Sequence, residues 1–414
     1  MTRFAMISMH TSPLDQPGVG DGGGMNVYVG RLASALARRG HEVDVFTRAT
    51  SELAEATRRI EPGFTMHFIP AGPLSAVAKE DLLGLVDEFT ENVMARFELN
   101  PGLVPDVIHS NYYISGLIGH RLKHRLNRPM ITTFHTIEKV KMKGRSMADD
   151  LLASEVRIRA EEEVAGCSDY VLASCHQEAS DIQEALGVSK SRIKILPLGV
   201  DDAIFAPGSR EMARIATDLP LQANIMLYVG RIQPLKGLSL AFESFRELAK
   251  SDPSLHLVVV GGPSGHLGHS ELDKCVKSAT ESGILERVIL RNAVPQYELA
   301  SYYRAADVLV VPSRTESFGL VALEAMSCGT PVVASSVGGL KSLVVDGVTG
   351  ILVSERHPSS FARAVGIFLR NPATKRSFGA NGHSRSKNFS WQSSARIAEN
   401  ISIELSNSRL MKCS

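Results

Sequence analysis

Ile225-Met226-Leu227-Tyr228-Val229-Gly230-Arg231-Ile232-Gln233-Pro234-Leu235-Lys236-Gly237 opens as a short apolar run and leaves it through a glycine into a loop with two cations. A run of this kind, bounded by turn residues, reads as a buried strand. Its position decides the fold, because a complete strand series precedes it. Upstream lie Phe4–Met9, Glu42–Thr47, Thr65–Pro70, Asp106–Ser110, Met130–Phe134, Tyr170–Ser174 and Ile193–Leu196. Downstream follow Leu255–Val260, Val288–Arg291, Val308–Val311, Pro331–Ala334 and Gly350–Val353. Helix-period segments separate them, as in Asn26–Arg39, where Val27, Val29, Leu32, Leu36 and Ala37 share a face and Gly40 supplies the C-cap. The alternation specifies an α/β class with parallel sheets, and two series specify two doubly wound Rossmann-like domains facing a central cleft. The expected domains are 1–198 and 199–388, with a C-terminal helix in 389–414 packing back toward the first. The turn-rich stretch Pro197–Gly208 joins the two series.

Composition agrees with this division, since 414 residues suit two domains better than one. Apolar residues at 44% and charged residues at 21% exclude bulk disorder. Basic residues number 45 and acidic ones 44, a net charge of +1, so no nucleic-acid partner is expected. No apolar run reaches the roughly 18–20 residues that span a bilayer. Met1–Ser8 reads as a first strand, followed by His10 and a glycine-rich loop instead of a cleavage site, and the expected location is cytoplasmic. Cys167, Cys175, Cys275, Cys328 and Cys413 show no CxxC pair and no metal-ligand spacing, and are expected to be buried or incidental thiols.

Gly18-Val19-Gly20-Asp21-Gly22-Gly23 has the form GxGxxG. A dinucleotide is nevertheless disfavoured. Thr11–Pro17 separates the glycines from their strand, and the next strand ends in Thr47-Arg48 with no acid for a ribose. Gly23 and Gly24 run instead into the helix beginning near Asn26, whose first N–H groups suit a diphosphate.

In the second series, Arg231 and Lys236 lie five positions apart after a strand, where they can clamp a diphosphate and stabilise a departing nucleotide. Glu316 and Glu324 frame Ser317-Phe318-Gly319-Leu320-Val321-Ala322-Leu323. Glu316 is read where a strand gives way to a helix and Glu324 on that helix. Eight positions along a helix are a little over two turns, so one acid can reach the cleft while the other lies deeper along the same face. Phe318, Gly319 and Leu320 offer helix N-terminal amides to an anion.

These residues, with Pro312-Ser313, Ala325, Gly329-Thr330-Pro331-Val332 and Gly338-Gly339, resemble the retaining GT-B glycosyltransferases of family four over essentially the full length. The resemblance implies a donor site in which Glu324 holds the nucleotide ribose, Glu316 faces the donor sugar, and Arg231 and Lys236 hold the diphosphate. Backbone around Gly262 and Val294 is assigned to the base, and His135, at a strand end, to hydrogen bonds with sugar hydroxyls. His135, Arg231, Lys236 and Glu316 form the expected catalytic set. No two aspartates are separated by one residue, so the DxD metal site common in GT-A transferases is absent from the sequence. No cofactor is expected to be required, magnesium being compatible but not essential. No second acid near Glu316 supplies the nucleophile–acid pair of a two-carboxylate scheme, which leaves front-face attack with retention. Domain closure is expected to assemble the site.

Ala5–Leu14 and Gly20–Tyr28 narrow the resemblance to the inositol-phosphate branch of that family, which uses UDP-GlcNAc and opens mycothiol biosynthesis. The branch places His10 and Asn26 near the acceptor ring. Lys79, Tyr112, Thr136 and Arg157 fall around its phosphate, a sensible set for a phosphomonoester. The partners implied are a nucleotide sugar and a small-molecule acceptor, with a homodimer an ordinary arrangement. The chain departs from the branch at His109-Ser110-Asn111-Tyr112-Tyr113-Ile114-Ser115-Gly116, at Glu138–Arg145 and at Ser146–Ser154. These departures keep open a paralogue of secondary-metabolite biosynthesis with another donor and acceptor. An epimerase or phosphorylase of the same fold and a non-catalytic sugar-nucleotide binder are further rivals.

Overall fold

The computed structural model describes the chain apart from residues 21, 52–54, 144–150, 266, 412 and 414. The expectations placed on Asp21 and on residues 144–150 therefore lie outside the described residues. In the first half the strands are β1 (Arg3–Ile7), β2 (Glu42–Arg48), β3 (Thr57–Glu61), β4 (Phe64–Ile69), β5 (Val107–Asn111), β6 (Met130–Thr133), β7 (Tyr170–Ala173) and β8 (Ile193–Ile195). In the second they are β9 (Asn224–Val229), β10 (Leu255–Val260), β11 (Val288–Arg291), β12 (Val308–Val311), β13 (Val332–Ser335) and β14 (Gly350–Val353). They order as β3-β4-β2-β1-β5-β6-β7-β8 and β11-β10-β9-β12-β13-β14. Among the described residues every pairing is parallel except β3 with β4. The second sheet has the doubly wound Rossmann order, and the first repeats it once β3 is set aside. The order of strand addition reverses between β1 and β5 and between β9 and β12, and the loops after these strands are where such sheets bind ligands.

The chain divides into two units. One comprises Met1–Asp15, Met25–Pro197 and Trp391–Ser414, the other Gln16–Gly24 and Leu198–Ser390. The central strands of each sheet, such as β1 and β12, are buried and apolar, as expected where helices cover both faces. In the first unit Ile114, Ile118 and Leu122, at helical spacing on Tyr113–Leu126, share a core with Phe89, Val93 and Phe97. In the second unit Leu238, Ala241, Phe242, Phe245 and Leu248 form the buried stripe of the helix Leu238–Ala249. They share a core with Phe361, Val365 and Phe368. Each such phenylalanine contributes about 1.5–3 kcal/mol by leaving water.

Three features depart from the sequence reading. Strand β3, Thr-Arg-Arg-Ile-Glu, is exposed along nearly its whole length and pairs antiparallel at the sheet edge, so it has no apolar alternation to read. The segment Gln16–Gly24 falls outside the expected 1–198 domain and packs with the second unit, where Ser264 Oγ donates to Gly20 O at 2.8 Å. Cys167 and Cys413 are joined as a disulfide, where incidental thiols were expected, while Cys175, Cys275 and Cys328 are buried and not disulfide-bonded. The helix Trp391–Ser406 buries Trp391, Ala395, Ala398 and Leu405, and Ser394 Oγ donates to Pro197 O at 2.6 Å within the first unit.

Asp307, heading β12, is fully enclosed and accepts from Ile225 N at 2.8 Å and from the fully buried Arg214 Nη2 at 3.0 Å. Asp307→Ala strands the Arg214 charge and should cost about 3–5 kcal/mol in urea unfolding; a loss below about 1 kcal/mol would show that the charge is solvated.

Candidate functional site

The loops after β9 and β12 are brought together by glycines. Gly230 leaves β9 at φ +147°, and a Cβ on Gly261 would lie 2.0 Å from Gly230 O, so only glycine lets the two backbones run side by side. Ile232 N then donates to Gly262 O at 2.8 Å. The turn Pro234–Lys236 presents Lys236, whose Nζ donates to Glu316 Oε2 at 2.7 Å. Ser313 Oγ reaches the same oxygen at 3.3 Å. A Cβ on Gly338 would meet Glu316 O at 1.9 Å, and Gly339 N donates to that oxygen at 2.9 Å. Arg356 Nη1 braces the loop through Pro312 O at 2.6 Å and Ser313 O at 2.9 Å. Within this unit Gly23 lies beside Arg231, since a Cβ there would sit 3.6 Å from the guanidinium carbon. Gly24 packs similarly on Leu320, at 3.3 Å.

The two glutamates do not share a helix. Gly319, at φ +100°, is the N-cap of Leu320–Ser327, and Glu316 stands in the loop before it. Glu316 thus stands at the expected junction of strand and helix, but the shared helical face is corrected: Glu316 reaches its position by loop geometry, and only Glu324 by helical register. Glu324 is 5% exposed and accepts from Tyr303 OH at 2.8 Å and Gln296 Nε2 at 3.5 Å. Burial, aided by this carboxylate, holds the Tyr303 phenol well above its usual range. The Phe318 ring is buried against Phe389, with centroids 5.9 Å apart, so its side chain serves packing. Val294 lies between β11 and the helix Gln296–Ala305. A cavity of about 320 Å³ opens nearby, bounded by Ile232, Gly261, Leu272, Leu290 and Asn292. It contains none of the charged residues singled out from sequence.

In the first unit, β6 ends in a loop that puts His135 at φ +62°. Its Nε2 meets Asn111 Oδ1 at 3.0 Å. An amide oxygen only accepts, so the assigned tautomer carries its proton on Nε2 and its lone pair on Nδ1. Burial, then neighbouring His109, lowers His135 to about 3, and burial lowers His109 to about 3. Both rings are neutral at pH 7 and act as hydrogen-bonding groups. Tyr112, also at positive φ (+77°), caps its helix, and its N–H donates to Thr133 O at 2.9 Å.

The buried Tyr112 ring has Lys79 Nζ 4.4 Å and Arg157 Cζ 5.0 Å from its centroid, and the His10 ring 4.6 Å away. Arg157 Nη2 donates to Thr136 O and Oγ1, both at 3.0 Å. His10, Lys79, Tyr112, Thr136 and Arg157 thus gather in one place. Asn26 Nδ2 donates to Thr11 Oγ1 at 2.6 Å and to Ser12 O, tying down the loop after β1. Sequence reasoning missed Glu138 and Glu161, which meet Arg157 at 2.9 and 2.7 Å. Burial raises the Glu161 carboxyl and Arg157 opposes that rise. The i,i+4 spacing of Arg157 and Glu161 was the available signal.

The depressed histidines set a pH dependence. Unfolding returns each ring from about 3 to about 6.5, so between those values the unfolded chain binds more protons. Their contribution is complete above pH about 6.5 and falls on acidification by up to ~1.4 kcal/mol per pH unit per ring. His135→Gln should flatten the acid limb of a plot of Tm against pH. An unaltered slope would show that the folded ring protonates without cost.

Residues 209–385 match the family of glycosyl transferases group 1, and residues 22–204 match Glycosyltransferase Family 4. A D-inositol 3-phosphate glycosyltransferase of Streptosporangium roseum is 41% identical over 408 residues, covering 96% of this chain and 92% of the relative. The protein of that name from Frankia alni is 41% identical over 393 residues, covering 94% and 96%. Among solved structures, sucrose-phosphate synthase from Thermosynechococcus elongatus superposes with a TM-score of 0.88 at 32% identity, covering 98% of this chain and 99% of that one. With both units matched and identity sustained over nearly the whole length, the chain belongs to the group 1 glycosyltransferases of family 4, the GT-B class.

Proposed function

We propose that this glycosyltransferase moves a hexosyl unit, with retention, from UDP-GlcNAc to a hydroxyl of 1D-myo-inositol 3-phosphate. The setting is the cytoplasm and the first step of mycothiol biosynthesis. The observation that carries the reading is the first-unit cluster of Lys79, Tyr112, Thr136 and Arg157. Two cations flank one buried ring, with a hydroxyl in contact with the guanidinium, and this chemistry suits a phosphomonoester. The relatives are named for phosphorylated small molecules, D-inositol 3-phosphate and sucrose-phosphate, which supports the same class of acceptor.

In the proposed reaction the bond between the anomeric carbon and the diphosphate oxygen breaks. The acceptor oxygen bonds to the same face of that carbon, and its proton passes to the departing diphosphate. Arg231 and Lys236 stabilise the charge that develops there. Gly23, Gly24 and the amides at Phe318, Gly319 and Leu320 supply further donors. Glu324 takes the ribose hydroxyls, backbone at Gly262 and Val294 the base, and Glu316 and His135 the hydroxyls of the sugar. Lys236 already meets Glu316, so the donor must draw the ammonium away and leave the carboxylate to the sugar. With two cations on the diphosphate, magnesium is compatible with the scheme but not required by it.

One observation favours a second reading. Asn111 orients His135, and Tyr113 flanks Arg157 at 5.2 Å, so two positions that depart from the inositol-phosphate branch touch the proposed site. A paralogue of secondary-metabolite biosynthesis with another nucleotide sugar and acceptor fits those changes.

The test is UDP release from UDP-GlcNAc with and without 1D-myo-inositol 3-phosphate, with the product identified by mass. Acceptor-dependent release is expected. Folded protein that turns over only other acceptors would replace the first reading by the second. Lys236→Ala should lower kcat by about 100–1,000-fold and donor affinity by less than about tenfold. An unchanged kcat would remove Lys236 from the chemistry. Omitting magnesium should alter the rate by less than about twofold, whereas an obligatory ion would abolish it.

A further inference from the structure

On the first unit, apart from the residues assigned to either substrate, four metal-ligand side chains converge from distant parts of the sequence. His120 and His124 stand one turn apart on the helix Tyr113–Leu126, Cys167 ends the helix Leu151–Cys167, and Cys413 comes from the tail. One ligand atom of each lies within 4.8 Å of all the others. His124 Nε2 is 3.0 Å and His120 Nε2 3.6 Å from Cys413 Sγ. In a tetrahedral zinc shell, with bonds of about 2.0 Å to nitrogen and 2.3 Å to sulfur, adjacent ligand atoms stand about 3.3–3.8 Å apart. The observed nitrogen–sulfur separations are close to that spacing.

The surroundings support ligation as well. His120 Nδ1 meets Glu163 Oε1 at 2.9 Å, the carboxylate–histidine arrangement that places the proton on Nδ1 and leaves the Nε2 lone pair facing the sulfur. The tail is positioned independently of Cys413, because Met411 N donates to Asp169 Oδ1 at 2.7 Å and Lys123 pairs with Asp169 at 2.8 Å.

We propose that His120, His124, Cys167 and Cys413 form a Cys2His2 zinc site, of which the Cys167–Cys413 disulfide is the oxidised, metal-free state. The interconversion balances. A dithiol reductant gives two electrons and two protons to the sulfur pair and is itself oxidised to a disulfide. Zn²⁺ then binds two sulfurs and two imidazole nitrogens and displaces the two thiol protons. Four protein ligands leave no open position, so the ion is structural and takes no part in glycosyl transfer. In both states Cys413 staples the tail to the first unit. A reducing compartment favours the metal-bound form.

The experiment uses the full chain, purified in a dithiol reductant, equilibrated with Zn²⁺ and passed into metal-free buffer before elemental analysis. About one zinc per chain is expected. Cys413→Ser and His124→Ala, at the tail and at an exposed helix position, should each remove at least about nine-tenths of it with circular dichroism unchanged. Cobalt in place of zinc should give the visible ligand-field bands of a tetrahedral thiolate site, lost in Cys413→Ser. Reduced wild-type protein that retains no zinc would overturn the proposal, as would stoichiometric zinc that survives both substitutions.

Discussion

Lys236 and Glu316, 2.7 Å apart, span the point where the strand order of the second sheet reverses, and the loops around them are shaped by that approach. A side chain at Gly237 would strike Pro312 O at 2.3 Å, and one at Gly338 would strike Glu316 O at 1.9 Å. Closeness of backbone therefore sets the ammonium against the carboxylate. The two side chains remain 29% and 15% exposed, a setting in which an ion pair contributes about 1 kcal/mol or less. Such a pair can be opened by a diphosphate. Arg214 and Asp307, with no exposure at all, are the opposite case: that pair fixes the fold and is not available to a ligand. One unit thus holds two ion pairs whose burial separates a structural role from a switchable one.

The first unit organises polarity differently. His109 and His135 are kept neutral by burial; His109 Nε2 meets the Thr133 hydroxyl at 2.9 Å, and the Asn111 amide oxygen sets the proton of His135 on Nε2. Arg157 is held rigidly by Glu138, Glu161 and Thr136 while its face lies on Tyr112. Anchoring of this kind lowers the entropy lost when a ligand binds, because the guanidinium is already oriented.

Strand positions and the parallel class were legible because parallel strands buried on both faces leave continuous apolar runs, as at Val308–Val311. Thr57–Glu61 left no such trace, being charged and exposed at an edge. The loop cations and Glu316 were legible as chemistry but not as geometry. The helix starts where its N-terminal amides were expected, after Gly319, and this leaves Glu316 in the loop, off the helical face that carries Glu324. Asn26 was legible as a polar group at the loop, but a sequence does not show that its amide nitrogen turns to Thr11 and Ser12. The histidine–cysteine cluster was invisible for another reason. Its histidines are local, but Cys167 and Cys413 are separated by 246 residues, and no spacing rule reaches that far.

In the proposed reaction Lys236 exchanges a carboxylate for a diphosphate, and the affinity of Glu316→Gln for UDP by calorimetry tests this most directly. Removing the carboxylate leaves the ammonium to the diphosphate alone, so UDP should bind about three- to tenfold more tightly than to wild type, the equivalent of ~1 kcal/mol. Unchanged or weaker UDP binding in a folded Glu316→Gln protein would contradict it. Lys236 would then have no competition to escape, and its contact with Glu316 would be part of the scaffold.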